Sequence, residues 1–185
     1  MIMKRIYFNV ALIFALTFTL GVDLMSEQVF KDLDTSPHDI VYFRTNKISP
    51  PTIKVLYGRP KKNGREIFGE VIPYGKIWRV GANEATEVVF YQDVVFGEKE
   101  VKAGTYVLYA IPHQKEWTLI LSSNTDVWGT SEYEKKYDVA RATAKVSKAE
   151  FLEAFSIGFK DKGNHVNMVL AWDTTRITAP IKIVL

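Results

Sequence analysis

The sequence predicts an all-β domain, an antiparallel β-sandwich or jelly-roll-like barrel with one short helix, on three observations. Short apolar-rich runs recur at a spacing of roughly 8–12 residues with turn chemistry between them. Those runs are rich in Val, Ile, Thr, Tyr and Phe, whose branched and ring side chains suit a pleated surface, and the chain as a whole is 13% aromatic. Helical stretches of about 10–15 residues, which a parallel α/β sheet needs between its strands, are missing.

The first element is not a strand. In "MIMKRIYFNVALIFALTFTLGVDLM", Lys4 and Arg5 precede 17 uncharged residues from Ile6 to Val22, the order of an export signal. That run also reaches the lower limit for a membrane span, so residues 1–25 read as a signal peptide or an N-terminal anchor. "SEQVFKDLDTS", 26–36, is polar and without period and reads as a tether, leaving 37–185 as a single β domain. This order implies a periplasmic or secreted domain that meets a membrane only through the N-terminal segment, if that segment is uncleaved.

"DIVYFRT" is the first strand. "TIKVLYG" follows, alternating Ile53, Val55 and Tyr57 against Thr52, Lys54 and Leu56, with "ISPP" before it and "RPKKNGRE" after it as turns. "TEVVFYQDVVF" reads as strand up to Gly97. Thr105–Ile111 is apolar on both faces, as a central buried strand would be, and pairs as a hairpin with Trp117–Leu121. Tyr106, close behind Gly104, sits where a Greek-key corner tyrosine ties a loop to nearby backbone. "SEYEKKYDVA" is the helix, with Ser131 and Glu134 as a capping box and Tyr133 and Tyr137 one turn apart. A second S-x-x-E at Ser147 and Glu150 runs directly into the strand-like "FSIGF". "HVNMVLAW" and "RITAPIKIVL" close the chain as two strands, with "DKGN" and "DTT" as turns.

Composition excludes several chemistries. With no cysteine there is no disulfide scaffold, thiolate nucleophile, cysteine-bound zinc or lipidated cysteine. A balance of 24 Lys+Arg against 21 Asp+Glu does not argue for nucleic acid or an anionic membrane surface. His38, His113 and His165 are scattered without ligand spacing, so no metal is implied, and "DKGNHVN" lacks the acidic density of a calcium loop. No G-x-S-x-G, H-E-x-x-H or P-loop occurs, and no cofactor is implied.

What remains is "GREIFGEVIPYGKIWRVGANEATE", Gly64–Glu87, dense in charged and aromatic groups. The order "YGRP", "GREIFGEVIPYGKIWRVGANEATE", "KAGTYVLYAIP", "EWTLIL" and "LAWDTTRITAPI" resembles a family of exported bacterial proteins known as domain of unknown function 2911. The resemblance runs from about Ser36 to the end and supports the β and export readings. It implies no activity. In that family a Tyr commonly precedes "GRP", as Tyr57 does here, and a serine often follows that Tyr, where this chain has Gly58.

Gly81 and Asn83 both tolerate positive φ, so "VGANE" is expected to be a tight turn on a rigid base. Two readings fit its polar residues. As a brace, the Arg79 fork pairs with Glu84, or the pair joins Arg59 or Arg65, and Asn83 satisfies backbone groups in the turn. A tryptophan flanked by Ile77 and Val80 then belongs to the core. As a binding site for a small polar ligand, a glycan or something peptide-like, Trp78 and Tyr74 form a wall beside Arg79, Asn83 and Glu84, with Tyr57 and Arg59 nearby. A third reading makes Glu84 a hydrolytic carboxylate paired with Asp126, Glu70 or Glu87 about 5–9.5 Å away. The basic tip Arg59, Lys61, Lys62 and Arg65 reads as solvated charge protecting an edge.

Overall fold

In the computed structural model, which describes residues 32–184, nine strands are present among the described residues. The export segment expected over 1–25 and most of the tether lie outside the described residues. The strands are β1 (His38–Phe43), β2 (Ile53–Gly58), β3 (Thr86–Phe90), β4 (Val94–Phe96), β5 (Lys99–Val101), β6 (Gly104–Pro112), β7 (Glu116–Ser122), β8 (Asp138–Asp161) and β9 (Val166–Ile183). All pairings are antiparallel, in the order β1-β2-β3-β6-β7-β8-β9-β4-β5. The all-β class read from the sequence is what the chain adopts.

This sheet folds over on itself. β1 and β8 stand five places apart in strand order, yet the rings of Phe43 and Phe159 lie 6.1 Å apart. Tyr57 on β2 meets Phe155 on β8 edge-on at 5.7 Å. The faces that meet are the apolar sides of alternating strands: Ile53, Val55 and Tyr57 of β2, and Val88 and Phe90 of β3, are buried against Leu170, Trp172, Ile177 and Ile181 of β9 in one core. β6 is buried on both sides, as its sequence predicts. Leu108 and Ala110 join that core, while Val107 and Tyr109 join a second cluster with Ala85, Ile120 and Val127.

The expected hairpin of β6 and β7 forms, with a register from Pro112 opposite Trp117 to Val107 opposite Ser122. Tyr106 makes the corner contact its position predicts, its hydroxyl donating to the Lys102 carbonyl at 2.9 Å.

Three expectations are corrected. "SEYEKKYDVA" forms only a 3-10 turn at Lys135–Tyr137, and Ser131 donates to the Trp128 carbonyl instead of capping. Tertiary contacts outweigh the local cap: the Tyr133 ring packs edge-on against Tyr109 at 5.1 Å, and its hydroxyl bonds Asp138 and Arg141 at the head of β8. "TEVVFYQDVVF" is two strands rather than one, β3 beside β2 and β4 beside β9, with the chain changing partners over Tyr91–Asp93. The two closing strands are one, since β9 runs through "DTT" and absorbs it as an irregularity at Asp173, whose φ is 50°.

Candidate functional site

The stretch from Lys61 to Ala85 lies outside the nine strands, and it is anchored on them at few points. Trp78 exchanges two backbone hydrogen bonds with Ala110 of β6, at 2.8 and 2.9 Å. The indole N–H of Trp78 donates to the Gly81 carbonyl at 3.3 Å, and the buried Thr86 hydroxyl donates to the Val80 carbonyl at 2.7 Å. These bonds hold a tight reversal in which Val80 and Asn83 have φ of 58° and 62°. Left-handed backbone is uncommon for a non-glycine residue and a true outlier for a β-branched one. Gly81 does not supply the positive φ expected of it; it supplies closeness. A Cβ on Gly81 would stand 2.9 Å from the Gly58 carbonyl oxygen, and a Cβ on Gly58 would run into the backbone of Ala82. The glycine of "YGRP" and the glycine of "VGANE" are therefore two sides of one backbone contact.

Alternation along this loop separates its side chains. Trp78 and Val80 sink into the core and Arg79 between them is left at the surface of a cleft. The cleft has a volume of about 520 Å³ and is bordered by Arg79 and Asn83, by Lys61, Asn63 and Arg65 from the loop after β2, by Lys76, by Thr130, and by Trp172 of β9. Arg79 is half-buried, and its Nε is a buried donor without a hydrogen-bond partner among the described residues. Arg65 is aimed by its own loop, its guanidinium donating to the carbonyls of Lys62 at 3.0 Å and Lys61 at 2.7 Å.

Of the seven residues singled out from sequence, three border this cleft: Trp78, Arg79 and Asn83. Trp78 is 5% exposed, and its ring is enclosed by Phe155, Trp117, Phe68 and Trp172 at centroid distances of 5.2 to 6.3 Å. It is core with an edge at the cleft and offers no open face for stacking. The other four are engaged elsewhere. Tyr57 is 2% exposed and its hydroxyl accepts the Ile157 N–H at 3.0 Å; burial raises the pKa of that hydroxyl. Arg59 ties β1 and β2 to β8, donating to Asp39 at 2.9 Å, Ser156 at 2.8 Å and the Phe155 carbonyl at 3.1 Å. Tyr74 is exposed and borders a separate hollow with His113.

Glu84 corrects the brace reading. It does not reach Arg79. Its carboxylate meets His38 at 3.0 Å, with both side chains exposed. Glu84 borders a hollow with His38, while Arg79 borders the cleft. Glu84, Glu87 and Asp126 do border one hollow of about 480 Å³ with His38, and Glu70 does not. No group of His, Asp and Glu among the described residues is arranged to hold a metal ion.

The basic tip divides in the same way. Arg59 and Lys62 are ion-paired, Lys62 to Asp173 at 2.5 Å, whereas Lys61 and Arg65 face the cleft. Thr130 and Trp172 border the cleft without any signal in sequence, since they arrive from segments about 50 and 100 residues away.

The family model described as "Protein of unknown function (DUF2911)" matches residues 36–181. No curated protein and no solved structure matches the chain.

Proposed function

Because the chain belongs to the DUF2911 family, whose description names no activity, we propose a function from the cleft itself: the domain is a binding module for a small polar ligand, glycan or peptide-like in size. One observation carries this reading. Arg79, Asn83 and the loop Lys61–Arg65 converge on one concave site, and neither Lys61, Arg65 nor Arg79 has a carboxylate within ion-pair distance among the described residues. A concave site with a few convergent polar and charged groups is the usual form of a small-ligand site. The volume of about 520 Å³ suits a ligand of one or two sugar rings rather than a polymer. The N-terminal signal pattern supports a place in the periplasm or outside the cell, where such ligands are cell-envelope components.

The test is thermal unfolding of the full chain and of Asn83→Gly with a panel of saccharides, muropeptides and short peptides. Glycine keeps the positive φ of Asn83 and removes its side chain, so the fold is retained. A panel member that raises the wild-type midpoint more than that of the variant supports the reading. Equal shifts in both proteins, or none across the panel, would reject it.

A further inference from the structure

Every charged side chain that borders the cleft is positive: Lys61, Arg65, Lys76 and Arg79. None of the four has a carboxylate within ion-pair distance among the described residues. Some cations elsewhere are ion-paired, while others such as Lys54 and Lys182 are not among the described residues. Arg59 holds Asp39, Lys62 holds Asp173, Lys102 holds Asp93 and Glu100, and Arg141 holds Asp138. What sets the cleft apart is four cations with no acid among its lining residues, in a chain whose formal net charge is only +3 over 185 residues. The neutral polar side chains at the cleft, Thr35, Ser36, Asn63, Asn83 and Thr130, can donate hydrogen bonds as well as accept them.

We propose that the ligand of this cleft is an anion, a carboxylate-, sulfate- or phosphate-bearing molecule of about sugar size, with Arg79 as its central ligating group. The inference rests on the binding reading above and narrows its chemistry. Like charges gathered without counter-charges repel one another, and an anion turns that repulsion into attraction. A guanidinium at the centre suits a planar or tetrahedral oxyanion, because its fork can donate two parallel hydrogen bonds. Arg79 is positioned for this by the buried Trp78 and Val80 on either side of it, whereas Arg65 is oriented by the two carbonyls it already bonds. Lys61 and Lys76 are exposed and contribute charge at the rim. A neutral glycan fits less well: the aromatic face it would stack on is closed, since Trp78 and Trp172 are both within the core.

The experiment is calorimetric titration of the full chain with four probes: glucose, glucuronate, glucose 6-sulfate and glucose 6-phosphate. These share a ring and differ in charge, so the anionic arms also separate carboxylate from sulfate and phosphate sources. The expected result is binding of at least one anionic probe and not of glucose, weakened roughly tenfold or more in Arg79→Lys, with a smaller loss in Lys76→Ala. Lysine keeps the charge and removes the fork, and Lys76 is exposed, so Lys76→Ala serves if Arg79→Lys does not fold. Glucose binding as tightly as the anions, with loss in Arg79→Lys, would overturn the anion inference and leave the binding reading standing. Anion binding unchanged in both variants would overturn both, as the contact would lie outside the cleft. No binding of any anionic probe at 10 mM, roughly the weak limit of a specific small-ligand site, would overturn the anion inference, and the panel with Asn83→Gly then decides the binding reading alone.

Discussion

Gly58→Ala is the sharpest test of how the loop is held, because one added methyl is directed into backbone rather than into a side chain that could move aside. A Cβ at 58 would lie 3.0 Å from the Ala82 carbonyl carbon and 3.1 Å from its nitrogen, against an ordinary contact of 3.4 Å or more, with the carbonyl oxygen closer still. The 78–86 loop must therefore withdraw by several tenths of an ångström at least. Its anchors lie on the same few atoms: the Gly81 carbonyl accepts from Trp78 and the Val80 carbonyl from Thr86. Overpacking of a buried site costs about 1–3 kcal/mol, and here the upper end is expected since two buried hydrogen bonds lengthen together. Gly158→Ala is the internal control: nothing lies within 4 Å of its Cβ. It should be neutral or stabilising by about 0.4–1 kcal/mol through the unfolded chain. Urea unfolding at constant m-value measures both. Gly81→Ala should also destabilise, and the double variant should lose less than the two single losses together, because both substitutions press on one contact. A loss below about 0.5 kcal/mol for Gly58→Ala, inside the range of ordinary surface substitutions, would refute the close-approach account.

Glu84→Gln should change stability by only about 0–1 kcal/mol, as the His38 pair is solvent-exposed; a loss of about 3–5 kcal/mol in the same urea assay would restore Glu84 as half of a buried brace. Tyr57→Phe should cost about 1–3 kcal/mol, because it strips the acceptor from the Ile157 N–H in the core, and an unchanged midpoint would mean that N–H finds another partner. Asp93 is held below its usual carboxylate range by the Lys102 ammonium and the Ala103 N–H. A depressed folded pKa contributes stability above the ordinary value of 3.8 that is lost as pH falls through the folded value. Asp93→Asn should thus flatten the acid limb of a stability–pH curve below about pH 4, and an unaltered acid limb would show that other carboxylates set it.

The strands were legible because a period of two is a local property: Ile53, Val55 and Tyr57 point inward as their alternation predicts. Continuity was not legible. β8 and β9 run for 24 and 18 residues, but the irregularities at Leu152 and Asp173 carry residues that read as a cap or a turn. The capping box at Ser131 is likewise a local signal, overridden by the contacts of Tyr133 with Tyr109 and Arg141. At the site, Arg79 and Asn83 could be found from their turn, and the charges at Lys61 and Arg65 were visible as a basic tip. Which of that tip's cations are paired depends on Asp39 and Asp173, about 20 and 110 residues away, and no local pattern records such partners.

The bracing residues and the residues of the proposed site lie on one loop. The bracing residues are Trp78, Val80, Gly81 and Thr86, all buried and bonded to one another or to β6. The displayed residues are Arg79 and Asn83, which border the cleft. Holding Val80 in left-handed backbone costs on the order of 1–3 kcal/mol, and a loop whose sole task was stability would gain by relaxing it. The strain persists because Thr86 and Trp78 fix both carbonyls of the reversal. Under the proposed binding reading, loosening the brace at Gly58 should weaken ligand binding before it unfolds the domain.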